Sequence, residues 1–150
     1  NLINAYNDGG NLIARTNMLS AALMGATAFQ KGLGAIHSLS HPIGAIYNTH
    51  HGTTNAVVME NVVKFNKEKI VKKVDQICNF LSISGGFNGF TNFIHELRKN
   101  LEIPKRLSDL GVKENQLKLI AEMAVVDPTA SGNPIKLTTK NTLELLKNCL

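Results

Sequence analysis

The stretch "GAIHSLSHPIGAIYNTHHGTTNA", residues 34–56, contains four of the five histidines of this 150-residue chain. His37 and His41 are four residues apart, so a helix puts both on one face. His51 follows ten residues after His41, beyond a predicted turn and just before a predicted helix. Two successive helices can therefore direct His37, His41 and His51 at one point. Because neutral imidazole binds iron, zinc, nickel or copper, this spacing is typical of a metal site.

The sequence on both sides of this stretch predicts further helices and no strand. Residues 11–31 are rich in Ala, Leu and Met, which are good helix formers. A short helix at about 34–42 is expected to kink or end at Pro42, since proline disfavours helical geometry at the residue before it. Further helices are predicted at residues 53–66, 67–83, 90–101, 112–127 and 138–150, with Thr138 or Thr139 capping the last one and a loop at 127–135. The predicted fold class is all-α, a multi-helix array in one domain.

Composition and charge argue against two classes of partner. The net charge of +5 comes from residues 64–150, where the densest basic group, Lys67, Lys69, Lys72 and Lys73, is typical of a solvated helix face. We therefore expect no nucleic-acid partner, because such a surface needs basic residues concentrated on one face. No run of about 18 apolar residues is present, so we expect no membrane span.

The cellular setting is suggested by two cysteines and by the N-terminal residues. Cys78 and Cys149 lie in separate predicted helices, which favours reduced thiols over a disulfide framework. The first residues have neither a basic segment nor a cleavage site of the secretory type. We therefore expect a cytoplasmic location. The sequence does not begin with Met, and we interpret it as a processed, trimmed or fragmentary chain.

The segment "GLGAIHSLSHPIGAIYNTHHGTTNAVV", residues 32–58, closely resembles the signature of the iron-containing alcohol dehydrogenase family. That signature has the form G-x-x-H-x-x-x-H-P-[LI]-G followed by H-G-x-x-N-A, and every position of it is present. Residues 14–34 and 127–146 also resemble the corresponding segments of the family. The resemblance implies the C-terminal helical domain of these enzymes, which is similar to the α domain of dehydroquinate synthase.

The resemblance also implies roles for individual histidines. His37 and His51 match two metal ligands of the family, and His41 matches a histidine in the active-site cleft that is proposed to help move protons. His50 has no required counterpart and is interpreted as a turn residue, and His95 as a surface or packing residue. In the complete enzyme the metal, Fe(II) or sometimes Zn, would act as a Lewis acid. Hydride would pass between NAD(P) and a small alcohol or aldehyde, or a hydroxyacid or oxoacid.

Two parts of a complete family member are not found in these 150 residues. They are the D-x-x-x-H segment with the other two metal ligands and the Gly-rich dinucleotide-binding domain, so we assign no cofactor-binding residue. One alternative is therefore a truncated, inactive helical module with a weak two-histidine half-site. Another is a related enzyme such as glycerol dehydrogenase, which the intact signature argues against. An apolar surface exposed without the N-terminal domain should favour self-association or a homo-oligomer.

Overall fold

The computed structural model describes all 150 residues, and they form helices and loops without a β-strand. The α-helices are α1 (Leu2–Asn7), α2 (Leu12–Phe29), α3 (Ala35–Tyr47), α4 (His51–Phe65), α5 (Lys67–Leu81), α6 (Gly86–Asn100), α7 (Leu117–Val126) and α8 (Thr139–Cys149). Short 3₁₀ segments lie at Leu107–Leu110, Glu114–Gln116 and Pro128–Gly132. The predicted all-α fold is confirmed, and each predicted helix is present with shifted ends.

Helix α3 is longer than predicted because it continues through Pro42 to Tyr47. The expected end at Pro42 is wrong. Proline cannot donate the hydrogen bond of a helix interior, which costs about 3 kcal/mol. Burial offsets that cost, since Leu39 and Ile43 are fully buried beside the buried proline ring. The helix is capped instead by Asn48, which has the left-handed conformation at φ 52° and donates its backbone N–H to the carbonyl of Gly44.

Helix α4 also begins earlier than the predicted start at residue 53. The Nδ1 atom of His50 accepts a hydrogen bond from the backbone N–H of Thr53, so His50 caps the helix and α4 begins at His51. At the other end of the chain, Thr138 rather than Thr139 caps α8, because its hydroxyl accepts the N–H of Asn141. The predicted loop at 127–135 contains the 3₁₀ segment Pro128–Gly132.

Most of the buried side chains belong to one core. Helix α3 packs against α4 and α7, and α8 packs against both α4 and α7. Their apolar faces, together with residues of the adjoining 3₁₀ segments and loops, form a cluster of 17 buried residues that includes Leu39, Val58, Ile120 and Leu146. A smaller cluster of Val74, Cys78 and Phe87 joins α5 to α6. The histidine-bearing helix α3 is therefore held from two sides by the largest core of the molecule.

The N-terminal helices are packed differently. Helix α2 contacts α1, and Ala14 is its only buried residue. Leu19, Leu23 and Met24 are each at least 70% exposed. This helix therefore presents an apolar surface that the rest of the chain does not cover.

Two further observations concern the cysteines and the membrane. Cys78 and Cys149 are buried free thiols in different helices, and burial raises the pKa of Cys149 to about 11. None of the eight α-helices combines the length and the apolar composition that crossing a bilayer requires.

Candidate metal centre

Three of the histidines singled out in the sequence come together where α3 meets the start of α4. The ring centroids of His37 and His51 are 5.2 Å apart, and those of His37 and His41 are 5.9 Å apart. The rings of His41 and His51 stack at 5.5 Å with an angle of 17° between their planes. The helical spacing of His37 and His41 and the short turn before His51 produce this cluster.

The Nε2 atoms of His37 and His51 point at a common position, which the side-chain amide of Asn55 marks. The Nδ2 atom of Asn55 lies 3.0 Å from Nε2 of His51 and 3.4 Å from Nε2 of His37. The Oδ1 atom of the same amide is buried and has no hydrogen-bond partner. Both imidazoles therefore direct their Nε2 atom at one polar position. Asn55 is four residues after His51, which puts the two side chains on one face of α4.

The other ring nitrogen of His51 is held by Ser40 of α3. The Nδ1 atom of His51 is 3.4 Å from the Ser40 hydroxyl, which donates in turn to the carbonyl of His37 at 3.2 Å. Ser40 is buried, so the contact is partly buried although His51 itself is exposed. A partner on the second nitrogen is the usual way to orient a metal-binding imidazole and to select its tautomer.

The electrostatics of the cluster favour a neutral His37. Partial burial lowers the pKa of His37, and the neighbouring His51 and His41 rings lower it further, while Asp127 has the opposite effect. A lowered pKa keeps the imidazole uncharged at neutral pH, which is the form that binds a metal.

His41 belongs to the cluster but has a different partner. Its Nδ1 atom lies 2.8 Å from Oδ2 of Asp127, which directly follows α7. The other oxygen of Asp127 accepts hydrogen bonds from the N–H and the hydroxyl of Thr129, at 2.8 and 2.6 Å. Asp127 is not among the residues predicted from the sequence, because nothing in the sequence connects it to a histidine 86 positions away.

The start of α3 is fixed by a buried pair of amides. Asn133 and Asn66 exchange two hydrogen bonds of 2.9 Å, and Oδ1 of Asn133 also accepts the N–H of Ala35, the first residue of α3. Gly34 leaves room for this contact, since a Cβ atom there would lie 3.0 Å from the same oxygen. The loop at 127–135 therefore holds α3 through Asn133 at its start and through Asp127 at its middle.

The remaining two histidines are not part of the cluster. His50 caps α4 through its Nδ1 atom, and His95 of α6 is paired with Glu60 of α4 at 3.3 Å. Both side chains are exposed. These positions agree with the turn and surface interpretations of the two residues.

The residues present fit part of a metal centre. Two imidazole nitrogens with oriented rings and a shared polar position suit iron or zinc. No group of three or more His, Cys, Asp or Glu side chains in the chain has an arrangement that could hold a metal ion. The carboxylate nearest to the cluster, Asp127, is engaged by His41 and Thr129. The chain thus supplies two candidate ligands, His37 and His51.

Comparison with known proteins gives a consistent result over the whole chain. A sequence model described as the Fe-containing alcohol dehydrogenase family, C-terminal, matches residues 1–150. The 4-hydroxybutyrate dehydrogenase of Cupriavidus necator is 37% identical over 139 residues, which cover 87% of this chain and 36% of that protein. The 1,3-propanediol dehydrogenase of Citrobacter freundii is 35% identical, with 98% of this chain and 40% of that protein covered.

A solved structure agrees with these sequence matches. The crystal structure of a 1,3-propanediol oxidoreductase superposes with a TM-score of 0.95 and 32% identity, covering all of this chain and 41% of the other. The chain spans about two-fifths of the length of the proteins that it matches. It belongs to the Fe-containing alcohol dehydrogenase family and corresponds to the C-terminal domain of that family.

Proposed function

We propose that residues 1–150 form the metal-binding, substrate-side domain of an iron-dependent alcohol dehydrogenase. His37 and His51 are the two metal ligands that this domain contributes. The complete enzyme transfers hydride between NAD(P) and a small alcohol or aldehyde, or a hydroxyacid or oxoacid. The observation that carries the proposal is the convergence of the two Nε2 atoms on one position beside Asn55.

The metal, when bound, supplies Lewis acidity that polarises a carbonyl or stabilises an alkoxide. The residues of this chain bind the metal, orient its ligands and move the proton. His37 and His51 hold and orient the metal, and Ser40 orients the ring of His51. His41 is the proton-moving group, since it is exposed in the same cluster and its Nδ1 atom contacts Asp127. Proton transfer by a positioned imidazole contributes about 10²–10⁴-fold to such reactions.

Iron is the metal we favour, with zinc as the alternative, because the family is described as Fe-containing and because imidazole accepts both ions. NAD(P) is the proposed redox partner of the complete enzyme only, and no residue of this chain is assigned to it. A small hydroxylated or carbonyl compound is the proposed substrate class. The proposed cellular location is the cytoplasm, which the two free thiols support.

The second candidate function is a catalytically inactive helical module with a weak half-site. The observation that favours it is the number of available ligands, since two imidazoles are provided and no third group joins them. Water would fill the other positions around such an ion, and the affinity would be low. The two proposals differ in what the 150 residues do alone, and metal affinity separates them.

We also propose that the chain associates with a second copy of itself through α2. The only charged side chain on this helix is Arg15, so two apolar faces can meet with little like-charge repulsion. Leu19 and Leu23 lie four residues apart on the exposed surface and would lie at the centre of the contact. Replacing both with Gln keeps a good helix former of similar size and should shift sedimentation velocity toward the monomer. A wild-type chain that is monomeric at every concentration would contradict this proposal.

The experiment for the metal site is a calorimetric titration of Fe(II), without oxygen, and of Zn(II) into the metal-stripped chain. We expect binding of one ion per chain. His37→Ala and His51→Ala should each weaken it by at least about tenfold, since even the loss of an outer-sphere partner costs 10–100-fold. The matched control is His95→Ala, a histidine outside the cluster, which should bind like the wild type.

The outcomes separate the candidates. Tight one-to-one binding would mean that another group completes the site within the chain or between copies, and would support catalysis by this chain. Weak binding that depends on His37 and His51 would support the half-site. Unchanged binding by both variants would show that the ligand assignment is wrong.

A further inference from the structure

The contact between His41 and Asp127 joins two distant parts of the fold at the histidine cluster. The Nδ1–Oδ2 distance is 2.8 Å, which is short for a hydrogen bond between nitrogen and oxygen and typical of one that involves a carboxylate. The side chain of Asp127 is 12% exposed and that of His41 is 41% exposed. The imidazole is thus open to solvent on one side and held by a sheltered carboxylate on the other.

Asp127 is itself firmly held. Its Oδ1 atom accepts both the N–H and the hydroxyl of Thr129, and these two donors leave Oδ2 free for His41. Asp127 also caps the 3₁₀ segment that begins at Pro128, whose ring restricts the backbone. Burial raises the pKa of Asp127, but the hydrogen bonds from Thr129 and His41 outweigh this effect and lower the pKa below its ordinary value. The carboxylate is therefore ionised and can only accept hydrogen bonds.

An acceptor at Nδ1 decides which nitrogen of a neutral histidine carries the proton. With Asp127 at Nδ1, the proton lies on that nitrogen, and Nε2 keeps the free lone pair. We propose that Asp127 is a positioning residue that fixes His41 in the Nδ1–H tautomer and leaves Nε2 as the atom that exchanges a proton with the reacting molecule. This inference rests on the proposed function in one respect, namely that His41 moves the proton in the complete enzyme.

Two features show why such a residue is useful here. The ring of His41 stacks on that of His51 with 17° between the planes, and stacking alone does not choose between the two ring nitrogens. Asp127 selects the tautomer of His41 from outside the cluster, because the residue that holds its carboxylate is Thr129 and not a residue of α3. In Ser-His-Asp sites an aspartate has the same relation to its histidine, and replacing it with asparagine leaves the histidine in the wrong tautomer.

The test is the tautomer of His41 in the whole 150-residue chain, read from long-range ¹H–¹⁵N correlations of the imidazoles at a pH where they are neutral. His41→Gln assigns its signals. His50 serves as an internal reference for the opposite tautomer, Nε2–H. Its Nδ1 atom accepts the N–H of Thr53, so its proton lies on Nε2. The wild-type His41 should show the protonated nitrogen at Nδ1.

Asp127→Asn keeps the size of the side chain and should reverse the tautomer. The N–H and hydroxyl of Thr129 need the remaining oxygen, so the new NH₂ group faces Nδ1 of His41, which must then accept. The protonated-nitrogen signal should move from Nδ1 to Nε2, with the His50 signals unchanged. Asp127→Ala, which leaves no partner, should give a mixture of both tautomers. Thr129→Val, which keeps the backbone donor and Asp127 itself, is the matched control and should retain Nδ1–H.

A His41 that stays in the Nδ1–H form in both Asp127→Asn and Asp127→Ala would overturn the inference, and so would a wild type with its proton on Nε2. The test needs neither metal nor NAD(P). A chain that binds no Fe(II) or Zn(II) would therefore contradict the proposed function without affecting the tautomer result, and the reverse also holds.

Discussion

The first 34 residues and the remaining 116 both contain apolar helices but pack very differently. We call residues 1–34 the N-terminal arm and residues 35–150 the body. Of the 30 buried residues in the chain, only Ala14 lies in the arm. In the body, α3, α4, α7 and α8 enclose a core of 17 buried residues. This difference shows that an apolar helix is buried only where a second apolar face packs against it.

The pattern of each helix explains this difference. Helix α8 separates its apolar face from its polar face, and the apolar one, with Leu145 and Leu146, is buried. Helix α2 carries apolar side chains around its whole circumference, with Leu12, Leu19 and Met24 all exposed. A helix that is apolar on all sides usually lies inside a larger assembly of helices. The arm therefore has the composition of a buried element and the packing of a surface one.

The largest effect expected from this comparison is on the free energy of unfolding. Leu146→Ala should lower it by about 2–5 kcal/mol, since Leu146 is fully buried and the substitution leaves a cavity. The matched variant in the arm is Leu23→Ala, which should change it by about 0.5 kcal/mol or less because Leu23 is 70% exposed. Urea unfolding at low protein concentration measures both. Equal losses in the two variants would mean that α2 is part of the core in solution.

A smaller effect is expected where the arm meets the body. Asn133→Ala removes the amide that pairs with Asn66 and accepts the N–H of Ala35. Each buried polar group left without a partner costs about 1–3 kcal/mol, and we expect a loss of unfolding free energy in that range. Asn148→Ala on the exposed face of α8 is the control and should be nearly neutral. Urea unfolding with an unchanged midpoint in Asn133→Ala would rule out a stabilising role for the amide pair.

The smallest effect concerns a charged contact within the body. Glu60 of α4 accepts hydrogen bonds from Lys64 at 2.6 Å and from His95 and Arg98 at 3.3 Å. Burial raises the pKa of Glu60, but the hydrogen bonds from Lys64 and His95 outweigh it, and the pKa is lower than its ordinary value. The folded state therefore binds the proton more weakly than the unfolded state, so Glu60 stabilises the fold above the ordinary carboxyl pKa.

This contribution should disappear as the pH falls through the lowered pKa of Glu60. Unfolding free energies of the wild type and of Glu60→Gln, measured from neutral to acidic pH, should differ by about 1 kcal/mol or less at neutral pH, because Lys64 and His95 are exposed partners. The difference should shrink in acid. A difference that is constant with pH would show that the charge of Glu60 does not contribute.

Much of the fold could be predicted from the sequence because its signals are local. Helical spacing located the six helices of the body and one of the two helices of the arm, with ends displaced by a few residues. The short helix α1 was missed, as six residues carry too little periodicity. The end of α3 was predicted wrongly because the burial of Leu39 and Ile43, which keeps the helix intact through Pro42, is a property of the core.

The residues of the candidate site also fall into two groups, those that local sequence predicts and those that only the fold brings together. His37, His41 and His51 lie within 15 residues, so their spacing and the family signature could identify them together. Asn55 is present in that signature, but its position between two imidazole nitrogens became visible only in the structure. Asp127 and Asn133 belong to a loop far away in the sequence, and no local pattern connects them to α3.

The sequence alone determined the helical class, the family and the three histidines, because periodicity and short motifs act over one or two turns of chain. Packing decided which histidine has which partner. Ser40 holds His51, and Asp127 holds His41 across 86 positions, because α3 and α7 meet in the same core. Contacts of this kind depend on how distant segments pack together, so local sequence patterns cannot predict them.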